Sequence, residues 1–491
     1  MPRTRLLGYA PDADKMTAGV ITDCNSAVPS LRGMAGAPGP ITGALPALAA
    51  ACRGAAVGRK LDETTRFFAG TSTKLYEAGA SSWTDRSRGA STYTALASGY
   101  RWSFAQFGNV SLAAQKSDLT QFSSSGAFAD ISSSPQAVPK ASIVETVGQF
   151  VFLFDTTEAT YGDSPDRWWC CATGNYADWN VSVTTECASG RLISAPGPIR
   201  AARRFGEQIA VYKGRSMYLG TYQGAPDIWR FDEMPGEAGA ASQESVVNVG
   251  TDAYPKHIFM GLDDFYVFDG ARPVPIGIGS VREQVFNEVS FDNIRLCAAS
   301  HDPVKARVYF YYPTGTTLNR CVVYNYKTKQ WGRDDREIEC PATYISPGLT
   351  YDGLGTLYST YADLPNVSYD SAFLSANAPT IAIFNTSHVI QTLNGASTTS
   401  YIRTNELGDE ATSTLLDRVR PLFLTAPMSS TMTNHYKANI GDAWTIDDTV
   451  PFSSGKYDIL RSSRWHRLQF NFVGDWEMAQ YNAYAQPDGE R

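Results

Sequence analysis

The chain has 491 residues, a formal net charge of −7 and a pI near 5.4, with only 19% charged residues, against roughly 25% in ordinary soluble domains. That balance argues against a protein that grips nucleic acid through a basic surface. Aromatic residues reach 12%, and 41 Gly with 26 Pro punctuate a chain that shows no sustained three-to-four apolar spacing; this is an all-β composition.

The segment 1–60 differs from the rest of the chain. MPRTRLLGYA carries positive charge without the apolar run of an export signal. Gly8 to Asp12 is turn chemistry, GVITDCN (19–25) reads as a short strand, and LRGMAGAPGPITGALPAL (31–48) reads as irregular. The Ala-rich stretch from Ala44 to Val57 is broken by Pro46 and charged at Arg53, so it suits neither a membrane span nor a leader. These features point to a protein kept in the cytoplasm or carried out within a larger particle.

From Arg66 onward, aromatic and β-branched runs climb to turns and return, as β-hairpins do. FFAGTSTKLYEA (67–78) is the first. WSFAQFGNVSLAAQ (102–115) turns at Gly108-Asn109, and IVETVGQFVFLFDT (143–156) turns at Gly148-Gln149, with Trp168-Trp169 beyond it. The passage from Arg204 to Ile276 holds two more. IAVYKGRSMYLGTY turns at Lys213-Gly214, and HIFMGLDDFYVFDG turns at Asp263-Asp264 and stops at Asp269-Gly270. RVYFYYPTG with CVVYNYKTKQW (307–331) and DGLGTLYSTY (352–361) come next. Units recur roughly every 40 to 65 residues, near the period of a propeller blade. Two sandwiches would show turn signals about every 8 to 12 residues without the longer period. The expectation is a β-propeller of six or seven blades over 61–395. After about Asn394 the period fades, and 396–491 reads as a β platform module to which 1–60 contributes. Within it WHRLQFNF (465–472) alternates as a half-exposed strand should.

No constellation points to chemistry. Eight scattered cysteines form no CxxC and five histidines no HExxH, so buried free thiols are expected in place of a disulfide framework or a zinc site. Thr350 to Leu357 is a single degenerate relative of the sialidase Asp-box, read here as an Asp352-Gly353 turn. Asp263-Asp264 and Arg333-Asp334-Asp335-Arg336-Glu337 fall at expected turns, where charge is solvated and neighbouring carboxylates point apart. Arg461, Arg464, His466 and Arg467, among Tyr457, Trp465 and Phe470, read as the charged face of an edge strand, with nucleic-acid stacking as the rival. No catalytic, cofactor or metal residues are assigned, and no activity is expected.

Several stretches carry a resemblance. LRGMAGAPGP, RWSFAQFGNVSLAAQ, IVETVGQFVFLFDT, YLGTYQGAPDIW, DDFYVFDGARPVPIG, VVYNYKTKQW and RWHRLQFNFVGDWEMAQYNAYAQ resemble the tail nozzle, or tail-tube distal, proteins of short-tailed bacteriophages. The resemblance implies a propeller with a platform built from both chain ends, no cofactor and no enzyme activity. It further implies a homo-hexameric ring beneath the portal and adaptor tail proteins, in the virion tail, made in the host cytoplasm. The resemblance leaves room for tail fibres or a needle as further partners, and implies that packaged DNA passes through the channel without sequence-specific binding. Propeller closure within one chain suggests an isolated monomer that forms its ring on a partner template, docking through the N-terminal segment and the strands around Trp465. The rival functions are a propeller that binds or cleaves glycans and a secreted lectin-like propeller.

Overall fold

Alternating apolar and polar positions, with Gly at the tight turns, fold the chain into antiparallel strands almost throughout. The computed structural model describes residues 3–345, 360 and 379–490. Among them the Arg282–Glu288 helix is the one α-helix.

Five four-stranded antiparallel sheets succeed one another as propeller blades. Blade 1 comprises Ala55–Arg59, Thr65–Gly70, Leu75–Ala78 and Trp83–Asp85. Blade 2 runs from Ser103–Phe107 to Ala129–Asp130, and blade 3 from Lys140–Val147 to Ala188–Arg191. Blade 4 runs from Ala201–Phe205 to Ile228–Glu233, and blade 5 from Val246–Asn248 to Val274–Pro275. The expected hairpins at Gly108-Asn109, Gly148-Gln149, Lys213-Gly214 and Asp263-Asp264 all pair in register. The strand Ala55–Arg59 opens blade 1 from within the segment read as N-terminal. The stretch 352–361 lies outside the described residues, apart from Thr360.

The blades cohere because successive residues of a strand face opposite neighbours. Trp168 joins the core between blades 3 and 4 with Phe152 and Trp229, while Trp169 joins that between blades 2 and 3 with Leu112 and Val144. Cys170 and Cys171 divide the same way, and all eight cysteines are free and buried. The first strands of consecutive blades lie side by side.

After blade 5 come two further antiparallel runs. One joins Ala298–Asp302, Arg307–Pro313, Leu318–Asn325 and Gln330–Arg333. The other joins Ile338–Ile345, Pro379–Asn385 and Ile390–Gly395, and its fourth strand is Gly39–Thr42 from the opposite end of the chain. The Ile338–Ile345 strand lies beside Ala55–Arg59 of blade 1, and Phe67, Phe384, Ala382 and Cys340 share a core there.

The remaining strands form two stacked sheets. Gly8–Tyr9 pairs in parallel with Val20–Asn25, which pairs with Thr399–Thr404 and leads through Trp465–Val473 and Ser429–Lys437 to Thr445–Pro451. The other sheet holds Tyr457–Ser463, Thr412–Thr425, Glu477–Glu490 and Met34–Gly36. Leu416, Val419, Tyr457 and Tyr481 meet Met432, Leu468, Phe470 and Trp476 between them.

The structure corrects readings of the sequence near both chain ends. The small-residue stretch 31–48 contains paired strands; its glycines permit close backbone approach, since a Cβ on Gly39 would lie 2.2 Å from the Ala396 carbonyl oxygen. The strand carrying His466 and Arg467 is interior, flanked by Thr399–Thr404 and Ser429–Lys437, because its alternate residues Leu468, Phe470 and Phe472 are needed in the platform core.

Candidate functional site

The segments that enter the first strands of several blades converge on one small cleft at the mouth of the propeller axis. Residues 99–103 lead into blade 2, Ser142 and Ile143 open blade 3, Ile199 and Arg200 lead into blade 4, and 241–244 lead into blade 5. Arg295, just before Ala298–Asp302, completes the lining. The cleft holds about 40 Å³, room for a few waters or one small oxyanion.

Its charge is one-sided. Arg101 donates from Nη2 to the Leu296 and Glu339 carbonyls at 3.3 and 3.0 Å. Its Nε and Nη1 are buried without a protein hydrogen-bond partner. Arg200 donates from Nη1 to the Ala241 carbonyl at 3.2 Å, and its Nε is likewise unpartnered. Arg295 stacks its guanidinium 4.9 Å from the Tyr100 ring centroid. Arg53 sits just behind Arg101, with its backbone carbonyl accepting from the Trp102 amide at 2.7 Å. Among the described residues, none of these four guanidiniums has a carboxylate within ion-pair distance, whereas neighbouring Arg203 pairs with Glu244 at 3.1 Å. Burial pushes the Arg200 pKa down and the Arg295 charge adds to that; burial and Arg101 do the same to Arg53. Glu339 has its carboxylate turned to the Cys52 amide and His388.

The clusters singled out in the sequence behave differently. Arg333 to Arg336 do not form a solvated turn. The Asp334 side chain is fully buried and pairs with Arg336 at 2.9 Å. Asp335 accepts from Arg333 and Arg320, each at 2.8 Å, and its amide donates to Asn25 Oδ1. Arg336 also reaches the Pro38 carbonyl at 2.6 Å. The cluster is therefore a joint that ties the N-terminal segment to the Leu318–Asn325 and Gln330–Arg333 strands. The physical reason is that 1–60 lies across this region and excludes water from it.

Asp264 is buried too, accepting from the Phe265 and Gly277 amides at 2.7 and 2.9 Å. It braces its hairpin instead of facing solvent. In the platform, Arg461 is paired with Asp447 at 2.6 Å and Arg467 covers the Trp444 ring at 4.5 Å. His466 is buried, with Nε2 3.2 Å from the Thr414 carbonyl. These residues do not make one basic face. The Asp-box relative at 350–357, with Asp352, lies outside the described residues. Among the described residues no group of three or more His, Cys, Asp or Glu is placed to hold a metal ion, and no helix is long and apolar enough to cross a membrane.

One buried histidine marks the seam between blades 4 and 5. His257 donates from Nε2 to the Arg204 carbonyl at 2.9 Å, which leaves Nδ1 to accept from the Tyr212 hydroxyl at 2.7 Å. Burial lowers its pKa to about 4, so the ring is neutral at pH 7.

The arginine mouth was not singled out in the sequence. Its signal is a weak one: Arg53, Arg101, Arg200 and Arg295 each stand one to three residues before the first strand of a unit, a recurrence seen only once those strands are known.

No protein-family model matches the chain, and no curated protein does. Solved structures similar to it include YCF48 from Cyanidioschyzon merolae, at 10% identity over 73% of this chain and 98% of that one, with a TM-score of 0.39. A computationally designed protein, Ika8, matches at 8% identity over 72% and 100%, with a TM-score of 0.34. An exo-beta-1,3-galactanase from Phanerochaete chrysosporium, solved with galactose, matches at 9% identity over 81% and 98%, with a TM-score of 0.27. None of these likenesses carries an activity or a partner over to this chain.

Proposed function

We propose that the protein is a structural component of a bacteriophage tail, a nozzle that closes the distal tail tube, retains packaged DNA and forms its exit channel. The observation that supports this reading is the union of both chain ends in one two-layered platform, held to a propeller by the buried joint at Arg333 to Arg336. Such a build suits a part that must bear load between neighbours while its own core stays closed. The resemblance of the recurring phrases to nozzle proteins points the same way.

The reading includes a seven-bladed ring. Its sixth blade is the run from Ala298–Asp302 to Gln330–Arg333, and its seventh the run from Ile338–Ile345 closed by Gly39–Thr42. The neighbouring of Ile338–Ile345 and Ala55–Arg59 favours it, as does the slightness of the bonds joining these runs to other strands: one residue pair links Leu318 to Ile338, and one links Arg333 to Ala27. It also includes a hexameric ring on the portal and adaptor, no hydrolytic activity, and DNA passage without base contacts. Exposed Leu422, Leu424, Met428 and Val473 gather where the Thr412–Thr425 strand hands over to Ser429–Lys437. They are side chains that assembly would cover.

The test is light scattering of the full chain at micromolar concentration, alone and with the preceding tail components. A monomer alone that forms a ring of six on the adaptor is expected. Failure to bind the adaptor-bearing tail, or turnover of glycans by the purified chain, would overturn the reading in favour of a glycan-active propeller.

A further inference from the structure

Four arginines gathered at one mouth of a propeller axis, in a chain of net charge −7, need an explanation that packing does not supply. A buried guanidinium is normally matched by a carboxylate or by a full set of carbonyls. Elsewhere Arg66 has Glu77 at 2.6 Å and Arg336 has Asp334 and the Pro38 carbonyl, while Arg167 and Arg467, each with an unpartnered Nε, stand singly over an aromatic ring. At the axial mouth several such guanidiniums stand together, all of the same sign.

We propose that the cleft bounded by Arg101, Arg200 and Arg295 is a binding site for a small phosphate-type oxyanion, either free phosphate or the terminal group of a phosphomonoester. The buried Nε and Nη1 of Arg101 and the buried Nε of Arg200 are unused donors, and Arg295 supplies a third charge over Tyr100. A phosphate offers acceptor oxygens in several directions, the geometry that guanidinium forks match best. The room available suits one such ion. The one carboxylate in the lining, Glu244, is held by Arg203, so it does not neutralise the mouth. Because the donors come from the entries of several blades, a bound anion would tie those blades together at the axis. This inference does not depend on the tail-protein reading.

The experiment is isothermal titration of the full chain with inorganic phosphate, and separately with adenosine 5′-monophosphate, against chloride at matched ionic strength. Saturable phosphate binding is expected, weakened about 10- to 100-fold in Arg200→Gln and in Arg295→Gln, the loss of one charge-assisted contact. Among the described residues the Arg295 guanidinium is held by its stacking on Tyr100, so its variant should stay folded, with circular dichroism as the check. Arg191→Gln, which removes an exposed guanidinium paired with Asp166, should bind as the parent does. Binding of phosphate alone would identify the free ion as ligand, and equal binding of the monophosphate would identify a terminal phosphate group. Absence of phosphate heat above the chloride control, or unchanged affinity in both cleft variants, would overturn the proposal.

Discussion

Two regions of this molecule concentrate arginine, and they use it in opposite ways. At the joint, Arg320, Arg333 and Arg336 face Asp334 and Asp335 at 2.8 to 2.9 Å. At the axial mouth, Arg53, Arg101, Arg200 and Arg295 face carbonyls, an aromatic ring and one another. Paired guanidiniums inside a protein join elements. Crowded, unpaired ones carry an electrostatic cost that an anion can relieve. The contrast separates a structural cluster from a candidate binding site where composition alone shows only arginines.

The comparison breaks most sharply at the joint. Arg336→Met strands the buried Asp334 carboxylate and should cost about 3 to 5 kcal/mol, read as a fall in the chemical denaturation midpoint. The double variant Asp334→Leu with Arg336→Met should recover at least half of it. If the single variant matches the parent, the joint does not hold the N-terminal segment to the propeller.

Next in size is a pH effect at the seam between blades 4 and 5, a region with neither kind of arginine cluster. His257 has its pKa lowered to about 4 in the folded chain, against about 6.5 unfolded. Below 6.5 the unfolded chain takes up a proton that the folded one refuses. The stability present above pH 6.5 is therefore lost as pH falls toward 4, by up to about 3 kcal/mol. His257→Gln should flatten that slope in a pH series of thermal melts.

The arginine mouth should respond little in the absence of anion. Arg295→Gln in phosphate-free buffer should change stability by less than about 1 kcal/mol, with a slight gain because it relieves the crowding with Arg200. Smallest of all, Arg461→Ala removes a partly exposed pair with Asp447 and should cost no more than about 1 kcal/mol. A larger loss there would show that partial exposure is a poor guide to which ion pairs matter.

Much of the fold was legible because it depends on local chemistry. Gly148-Gln149 between a β-branched strand and an aromatic one can hardly be other than a turn, and WHRLQFNF alternates as its strand does. What was hidden depends on distance along the chain. Asp334 reads as a loop residue because nothing near it in sequence reveals that Asn25, Ser26 and Pro38 cover it. The glycines at 33–39 read as irregular because their function is to admit the backbone and side chains near Ala396 and Trp476. The arginine mouth was illegible for the same reason: its members lie on separate units and meet only when the first strands are brought together.

The strand Gly39–Thr42 completes its sheet against Ile390–Gly395, with Gln391 and Thr42 bonded across 349 residues. During synthesis this early strand has no partner until almost four-fifths of the chain has emerged. Its edge and the faces of the first blades must therefore wait, exposed to other nascent chains. Closure of so distant a pair carries a large loop entropy and makes folding slow and non-local. Yield in a cell should accordingly depend on temperature and on chaperone supply more than the stability of the finished protein would suggest.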